Sequence, residues 1–318
     1  MTISAKIIAD SVSTSGKRIT TYELEYPRFI HAEFMTHRLF SRNAASSRAI
    51  PVERAIELIK QNTAMPIHWG KNQPGMSAKE ECDTFIAGRN REEWWKEARD
   101  VAIGYASAFG KVGYHKQIVN RLLEPYSHIK VVCTATEFDN FFYLRRHPDA
   151  QPEIQELANQ MWETRNQNTP NELYPGEWHV PYYGTGFWMS AGTSEGEESD
   201  QFGVTLNEAI AISASCCAQV SYRRLDDSLE KALEIYNRLI TSKPAHASPF
   251  EHQATPMVED QFREDDQVLL YTLSDNDTLD SSGITHFDRY GYAWSGNFRG
   301  WIQNRQLIVD HVCMDYQP

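Results

Sequence analysis

Cysteine is scarce in this sequence: five in 318 residues, with Cys216 and Cys217 adjacent and none in a C-x-x-C pair. An odd number without metal-type spacing excludes a disulfide framework and points to reduced, mostly structural thiols (Cys82, Cys133 and Cys313 being the others) in a reducing compartment. Long apolar runs are missing too. No stretch approaches the roughly 20 residues that span a bilayer. The opening MTISAKIIADSVS lacks the basic patch and apolar run of a secretory signal. The chain therefore reads as cytoplasmic, with no membrane partner. Positive charge is in deficit, 31 Lys and Arg against 43 Asp and Glu, for a formal net charge of −12. That argues against nucleic acid as a partner. It leaves room for a small anion, because a few arginines make a local positive pocket on an acidic protein. No internal repeat or low-complexity tract is present.

What is there reads as alternating strands and helices. Residues 5–26 form a hairpin: Ser15-Gly16 is the turn, and Thr20, Tyr22, Leu24 and Tyr26 alternate along the second strand. Pro27 ends that strand and suits the first turn of a helix over Arg28–Phe40. The small polar residues Ser41–Ile50 read as a loop, and Pro51 opens a helix from about Val52 to Gln61. Trp94, Trp95, Ala98, Val101, Ala102, Tyr105 and Phe109 recur at helical spacing over Arg91–Phe109. Further helices are expected at Tyr114–Leu123, Phe138–Arg145, Pro152–Thr164, Leu206–Cys217 and Ser228–Thr241, with a strand or extended link at Ile129–Thr134 and a strand at Gln267–Leu273. Two arginines at helical spacing mark Tyr290–Ile308. The chain divides into residues 1–164, an aperiodic linker or functional loop at 165–205, and residues 206–318 packing into the same domain.

The segment that carries chemistry is Thr36-His37-Arg38-Leu39-Phe40-Ser41-Arg42-Asn43-Ala44-Ala45-Ser46-Ser47-Arg48. Hydroxyls, backbone N–H groups and an arginine fork are what a phosphate requires. On spacing alone, a solvated helix end with a Ser/Asn-rich turn is the favoured explanation of the segment. The segment resembles the signature of the flavin-dependent thymidylate synthase family, R-H-R-x-x-S-x-N-x-x-S-x-R. Six fixed positions match (His37, Arg38, Ser41, Asn43, Ser46 and Arg48), while Thr36 replaces the first arginine and Ala44 the acid common after the asparagine.

A second block, Arg121-Leu-Leu-Glu-Pro125, then Thr134-Ala-Thr136-Glu-Phe-Asp-Asn140 through Leu144-Arg145 and Ala150-Gln151-Pro-Glu153-Ile154, is similar to the family's downstream region. A third, Cys217-Ala-Gln-Val-Ser221-Tyr222 followed by His246-Ala-Ser248-Pro-Phe-Glu251-His252, resembles the family's N-terminal portion with its H-x-S-P-x-E-H turn. Here it follows the signature by about two hundred residues instead of preceding it, as a circular permutation would place it. Zinc is a poor alternative for His246 and His252, since no cysteine or third histidine is suitably spaced, and no metal is expected. Residues 62–115, 165–203 and 257–289 lie outside the resemblance.

The resemblance implies an α/β (α+β) fold, a central antiparallel sheet flanked by long helices, assembled as a homotetramer. It implies FAD as cofactor, NADPH and methylenetetrahydrofolate as co-substrates, and one-carbon transfer to C5 of a pyrimidine deoxynucleotide monophosphate, dUMP to dTMP. Arg145 and Arg48 would be the catalytic groups, and Ser46, Arg48, Arg121, Arg145, Glu33 and Arg299 would bind substrate. His37, Arg38, Asn43, Thr134, Thr136, Asn140, Ser221, His246, Ser248, Glu251 and His252 would bind the cofactor. Arg299 enters as a replacement for the missing signature arginine, sharing a helix face with Gln303. The departures at Thr36 and Ala44 leave open a dUMP or dCMP hydroxymethylase, and a non-catalytic nucleotide- or flavin-binding regulator.

Overall fold

The computed structural model describes residues 3–75, 78–194, 197–221, 225–243, 245–258, 283–313 and 315–316. The strand expected at Gln267–Leu273 lies outside them.

The fold is mixed α/β. Strands β1 (Ser4–Ser13) and β2 (Arg18–Pro27) form the expected hairpin. A short helix α1 (His31–Phe34) leads to β3 (Ser41–Ala44). Then come α2 (Val52–Gln61), α3 (Arg91–Val112), α4 (Lys116–Val119), β4 (His128–Ala135), α5 (Asp139–Arg145) and α6 (Pro152–Gln167). Short strands follow: β5 (Asn171–Leu173), β6 (Trp178–His179), β7 (Phe187–Trp188), β8 (Gly192–Ser194) and β9 (Glu197–Ser199). Helices α7 (Leu206–Ala218) and α8 (Leu229–Thr241) precede β10 (Ala254–Pro256), β11 (His286–Phe287), β12 (Ala293–Ser295), β13 (Phe298–Arg299) and β14 (Trp301–Gln303).

The main sheet has the order β3-β4-β2-β1-β5, antiparallel except for the β1–β5 pair. Alternation along β2 decides what covers each face. Tyr22, Leu24 and Tyr26 point towards α5 and α6, packing in one core with Phe34, Phe40, Phe138, Phe141, Ile154, Leu157 and Met161. Ile19 points the opposite way, into a smaller core with Leu173, Ala254, Phe298 and Trp301. A second sheet, β14-β10-β6-β7, therefore lies against this face. The layers are helix, sheet, sheet. Helices α7 and α8 pack beside them, with Phe250 buried against Ala214. Capping boxes start α3 (Asn90 with Glu93) and α7 (Thr205 with Glu208), and Gly113 at φ 95° ends α3.

Residues 165–205, read as a linker, carry β5 to β9 and bury Trp178, His179, Val180 and Trp188. Gly186 makes that packing close: at φ +96°, a Cβ there would lie 2.8 Å from Ala9 Cα.

Two readings require correction. The helix expected over Arg28–Phe40 ends at Phe34, and the chain is extended from Ser41 to Ala44, because Arg42 Nη1 donates to the carbonyls of Phe34 (3.2 Å) and His37 (3.1 Å) and Phe40 turns into the aromatic core. The helical spacing of Arg299 and Arg305 does not produce a helix either. Gly296 (φ 59°) and Gly300 (φ 70°) turn the chain between β12, β13 and β14, so Arg299 and Gln303 lie on different strands and share no helix face.

Candidate functional site

The signature residues sit on a turn, a strand and a second turn at the edge of the main sheet. At the first turn, Thr36 Oγ1 donates to the Glu33 carbonyl at 2.7 Å, so its side chain turns back on its own backbone. Arg145, at the end of α5, forms an ion pair with the Glu33 carboxylate and donates from Nε to His37 Nε2 at 2.9 Å. His37 also lies edge-on to Phe141, with ring centroids 4.8 Å apart. Burial first, then the guanidiniums of Arg145 and Arg42, push its pKa down to about 4. The ring is therefore a neutral acceptor that orients Arg145. The structure thus brings Glu33, His37 and Arg145 together.

Strand β3 continues to Ser46, whose hydroxyl accepts from Arg48 N at 3.3 Å and caps a 3-10 turn over Ser47–Ala49. Ser47 Oγ donates to Glu124 at 2.6 Å, and Arg121 donates to the same carboxylate at 3.2 Å. Asn120 Nδ2 holds the turn by donating to Ser47 O (2.7 Å) and Ile50 O (2.9 Å). Ser46, Arg48 and Arg121 are therefore on one connected piece of structure. The Arg48 guanidinium is exposed and forms no ion pair among the described residues. Beside the turn, a cleft of about 770 Å³ runs between α2 and β4, with Arg28, Ser47 and Lys130 in its wall.

The third block folds against the signature in space. His252 Nδ1 lies 2.8 Å from Thr134 Oγ1, and its Nε2 lies 3.2 Å from the Asn43 amide. Glu251 is paired with Arg305. Arg299 pairs with Glu137 at 2.9 Å, lies over the Tyr292 ring, and has its backbone N–H bonded to Thr136 Oγ1 at 3.0 Å. It therefore stands beside Glu137, and the shortage of charge at Thr36 is not relieved by a shared helix face.

The donor set can be compared with what FAD requires. Arg38, Asn140, His246 and Ser248 are exposed, offering a guanidinium, an amide, an imidazole and a hydroxyl. Such groups suit the phosphate and ribose oxygens of a dinucleotide. Thr134, Thr136 and His252 are buried and bonded inside the protein, so they do not present free polar groups at the surface. The side chain of Ser221 lies outside the described residues. Arg42, which ends α1, and Asn297, which reaches Ser41 Oγ at 3.1 Å, had no local signal, and Gln303, read only as a partner of Arg299 on a helix face, instead reaches the same Oγ at 3.3 Å.

No helix of the described residues is long and apolar enough to cross a membrane. No curated protein matches the chain. Two solved structures of the UMP/dUMP methylase PolB from Streptomyces cacaoi, one bound with 5-Br UMP and one with 5-Br dUMP, are similar to it at 16% identity and a TM-score of 0.41. The match covers 52% of this chain and 89% and 90% of theirs. The family described as thymidylate synthase complementing protein matches residues 17–171. That span, just under half of the chain, holds the whole signature segment with Arg121 and Arg145. Residues 17–171 are thus similar to the thymidylate synthase complementing protein family.

Proposed function

We propose that the protein transfers a one-carbon unit from methylenetetrahydrofolate to C5 of a pyrimidine deoxynucleotide monophosphate, converting dUMP to dTMP, with FAD as cofactor and NADPH as reductant. The observation that carries the reading is the family-matched signature folded as a capped turn that leaves Arg48 exposed beside Ser46. FAD, when bound, would supply the hydride; the protein's own groups position rings and stabilise charge. Ser46 and Arg48 would hold the nucleotide phosphate. Arg145, aimed by Glu33 and His37, would meet the pyrimidine carbonyl and favour electron build-up at C5. Arg38, His246 and Ser248 would hold the cofactor, with His37, Asn43, Asn140 and Glu251 around it. The third block's return to the signature in space supports a circular permutation of the family's order. Homotetrameric assembly belongs to the same proposal, supported by Val101, Tyr105 and Val112, exposed on one face of α3.

A second reading, hydroxymethyl transfer or a dCMP substrate, is favoured by one observation. Thr36 turns back onto Glu33, and exposed Ala44 offers no charge, so two polar contacts of the family pattern have no counterpart at those positions. Mass spectrometry of the nucleotide product distinguishes the readings. Incubation with dUMP, methylenetetrahydrofolate and NADPH is expected to give a methylated nucleotide. A hydroxymethylated product establishes the second reading, and a colourless protein that NADPH does not bleach overturns the flavin-dependent one.

Arg48→Ala is expected to weaken dUMP binding by roughly ten- to a hundredfold, the equivalent of about 1.5–3 kcal/mol for a charge-assisted contact. The fold should persist because the side chain is exposed. Calorimetry giving unchanged affinity would remove Arg48 from the phosphate site.

A further inference from the structure

A chain of buried hydrogen bonds crosses from the second sheet to the signature strand. Ser11 Oγ lies 2.9 Å from His179 Nδ1, and His179 Nε2 lies 2.8 Å from Thr21 Oγ1. Thr21 Oγ1 is 2.7 Å from Thr134 Oγ1, which is 2.8 Å from His252 Nδ1. His252 Nε2 then meets the Asn43 amide at 3.2 Å. Ser11, Thr21, Thr134, His179 and His252 are all 0% exposed. Burial pushes both imidazole pKa values down to about 3, so both rings are neutral and each carries one N–H.

That count leaves two self-consistent arrangements. If Ser11 donates to His179, every hydrogen points towards Asn43: His179 donates from Nε2, Thr21 to Thr134, Thr134 to His252 Nδ1, and His252 from Nε2. If Asn43 donates to His252, every hydrogen points back, and both rings carry their proton on Nδ1. A single reversal of direction would leave one bond with two hydrogens or one with none, costly in a buried site.

The surroundings of Asn43 choose between them. With its amide nitrogen turned towards the turn at residues 248–252, Asn43 Nδ2 lies 3.1 Å from Arg42 O, 3.2 Å from Ser248 O and 3.2 Å from His252 Nε2, three acceptors that share its two hydrogens. The opposite orientation sets its oxygen against two carbonyl oxygens. An amide NH₂ does not accept, so His252 Nε2 carries no hydrogen, and the remaining bonds follow.

We propose that this chain is a polarity relay: His179, through Thr21, Thr134 and His252, fixes the donor direction of the Asn43 amide and thereby ties β3 to the turn that carries His246 and Ser248. His179 is a positioning residue, and it lies outside the family-matched span of 17–171. The relay couples the strands of the 165–203 segment to the signature. Its importance for the cofactor rests on the function proposed above, whereas its existence does not.

The test is ¹⁵N NMR of histidine-labelled protein without nucleotide or flavin, with the two rings assigned from His179→Gln and His252→Gln. In the native protein both rings are expected as neutral Nδ1–H tautomers. Asn43→Asp offers His252 only acceptors, so both rings should switch to Nε2–H, His179 from four hydrogen bonds away. With Thr21→Val added, only His252 should respond. Thr134→Ser, which keeps the hydroxyl, should preserve the native pattern. An Nε2–H tautomer at either ring in the native protein overturns the relay whatever the variants do, as does a His179 signal unmoved by Asn43→Asp in a folded variant.

Discussion

Lowering the pH from 6.5 to 4 is expected to remove about 6 kcal/mol of folding stability through His179 and His252 alone. Both rings are fully buried, are held neutral mainly by that burial, and have folded pKa values near 3 against an ordinary 6.5. With the folded pKa below the unfolded one, the unfolded chain takes up protons first as the solution is acidified. The stability contributed by the neutral rings is therefore complete above the unfolded pKa and is lost as pH falls towards the folded one. Within that window each ring contributes a slope approaching about 1.4 kcal/mol per pH unit, and the two together twice that. His128, also pushed down to about 4 mainly by burial, acts in the same direction. A domain stability of about 5–15 kcal/mol would be largely consumed before most carboxylates protonate. Guanidinium unfolding at a series of pH values is the measurement. A midpoint that falls steadily below pH 6.5 is expected, and a midpoint constant down to pH 4.5 would show that the buried rings do not stay neutral.

The same two histidines show where local sequence ends as a guide. Helices α2, α3, α6 and α8 were legible because each buries one stripe of its surface, which leaves a helical period in the residues. The β1–β2 hairpin was legible because Ser15-Gly16 and the alternation of Tyr22, Leu24 and Tyr26 are local. The bond between Thr21 and His179 joins positions 158 apart, and neither residue has a neighbour that announces it. The signature segment was legible as chemistry but not as shape. Its strand depends on Arg42 ending α1 and on Phe138 and Phe141 receiving Phe40, contacts supplied from α5 across a long sequence gap. The C-terminal run misled for a related reason. Phe298 and Trp301 are three residues apart, as on a helix, yet they meet in one core because Gly300 turns the chain between them.

That turn leads to the second large effect. Trp301→Ala is expected to destabilise the protein by about 3–5 kcal/mol, the range for truncating a buried aromatic side chain. Trp301 is 0% exposed and packs with Ile19, Leu173, Ala254 and Phe298, the core joining the two sheets. Its Nε1–H donates to Lys17 O at 3.0 Å, in the turn of the β1–β2 hairpin. The consequence extends to the signature because the same C-terminal run reaches Ser41 through Asn297 and Gln303, and Asn297 Nδ2 also donates to Leu39 O at 3.0 Å. Loosening β14 frees that clamp, so nucleotide affinity should fall in Trp301→Ala even at denaturant-free temperatures where the fold persists. Trp301→Phe provides the comparison. It keeps most of the ring and loses the single hydrogen bond, for a cost of about 1 kcal/mol from that bond. Chemical denaturation of the two variants, followed by dUMP titration of each, separates packing from hydrogen bonding. If Trp301→Ala costs no more than Trp301→Phe, the ring is not what holds the sheets together, and the C-terminal run must be anchored through its polar contacts with Ser41 instead.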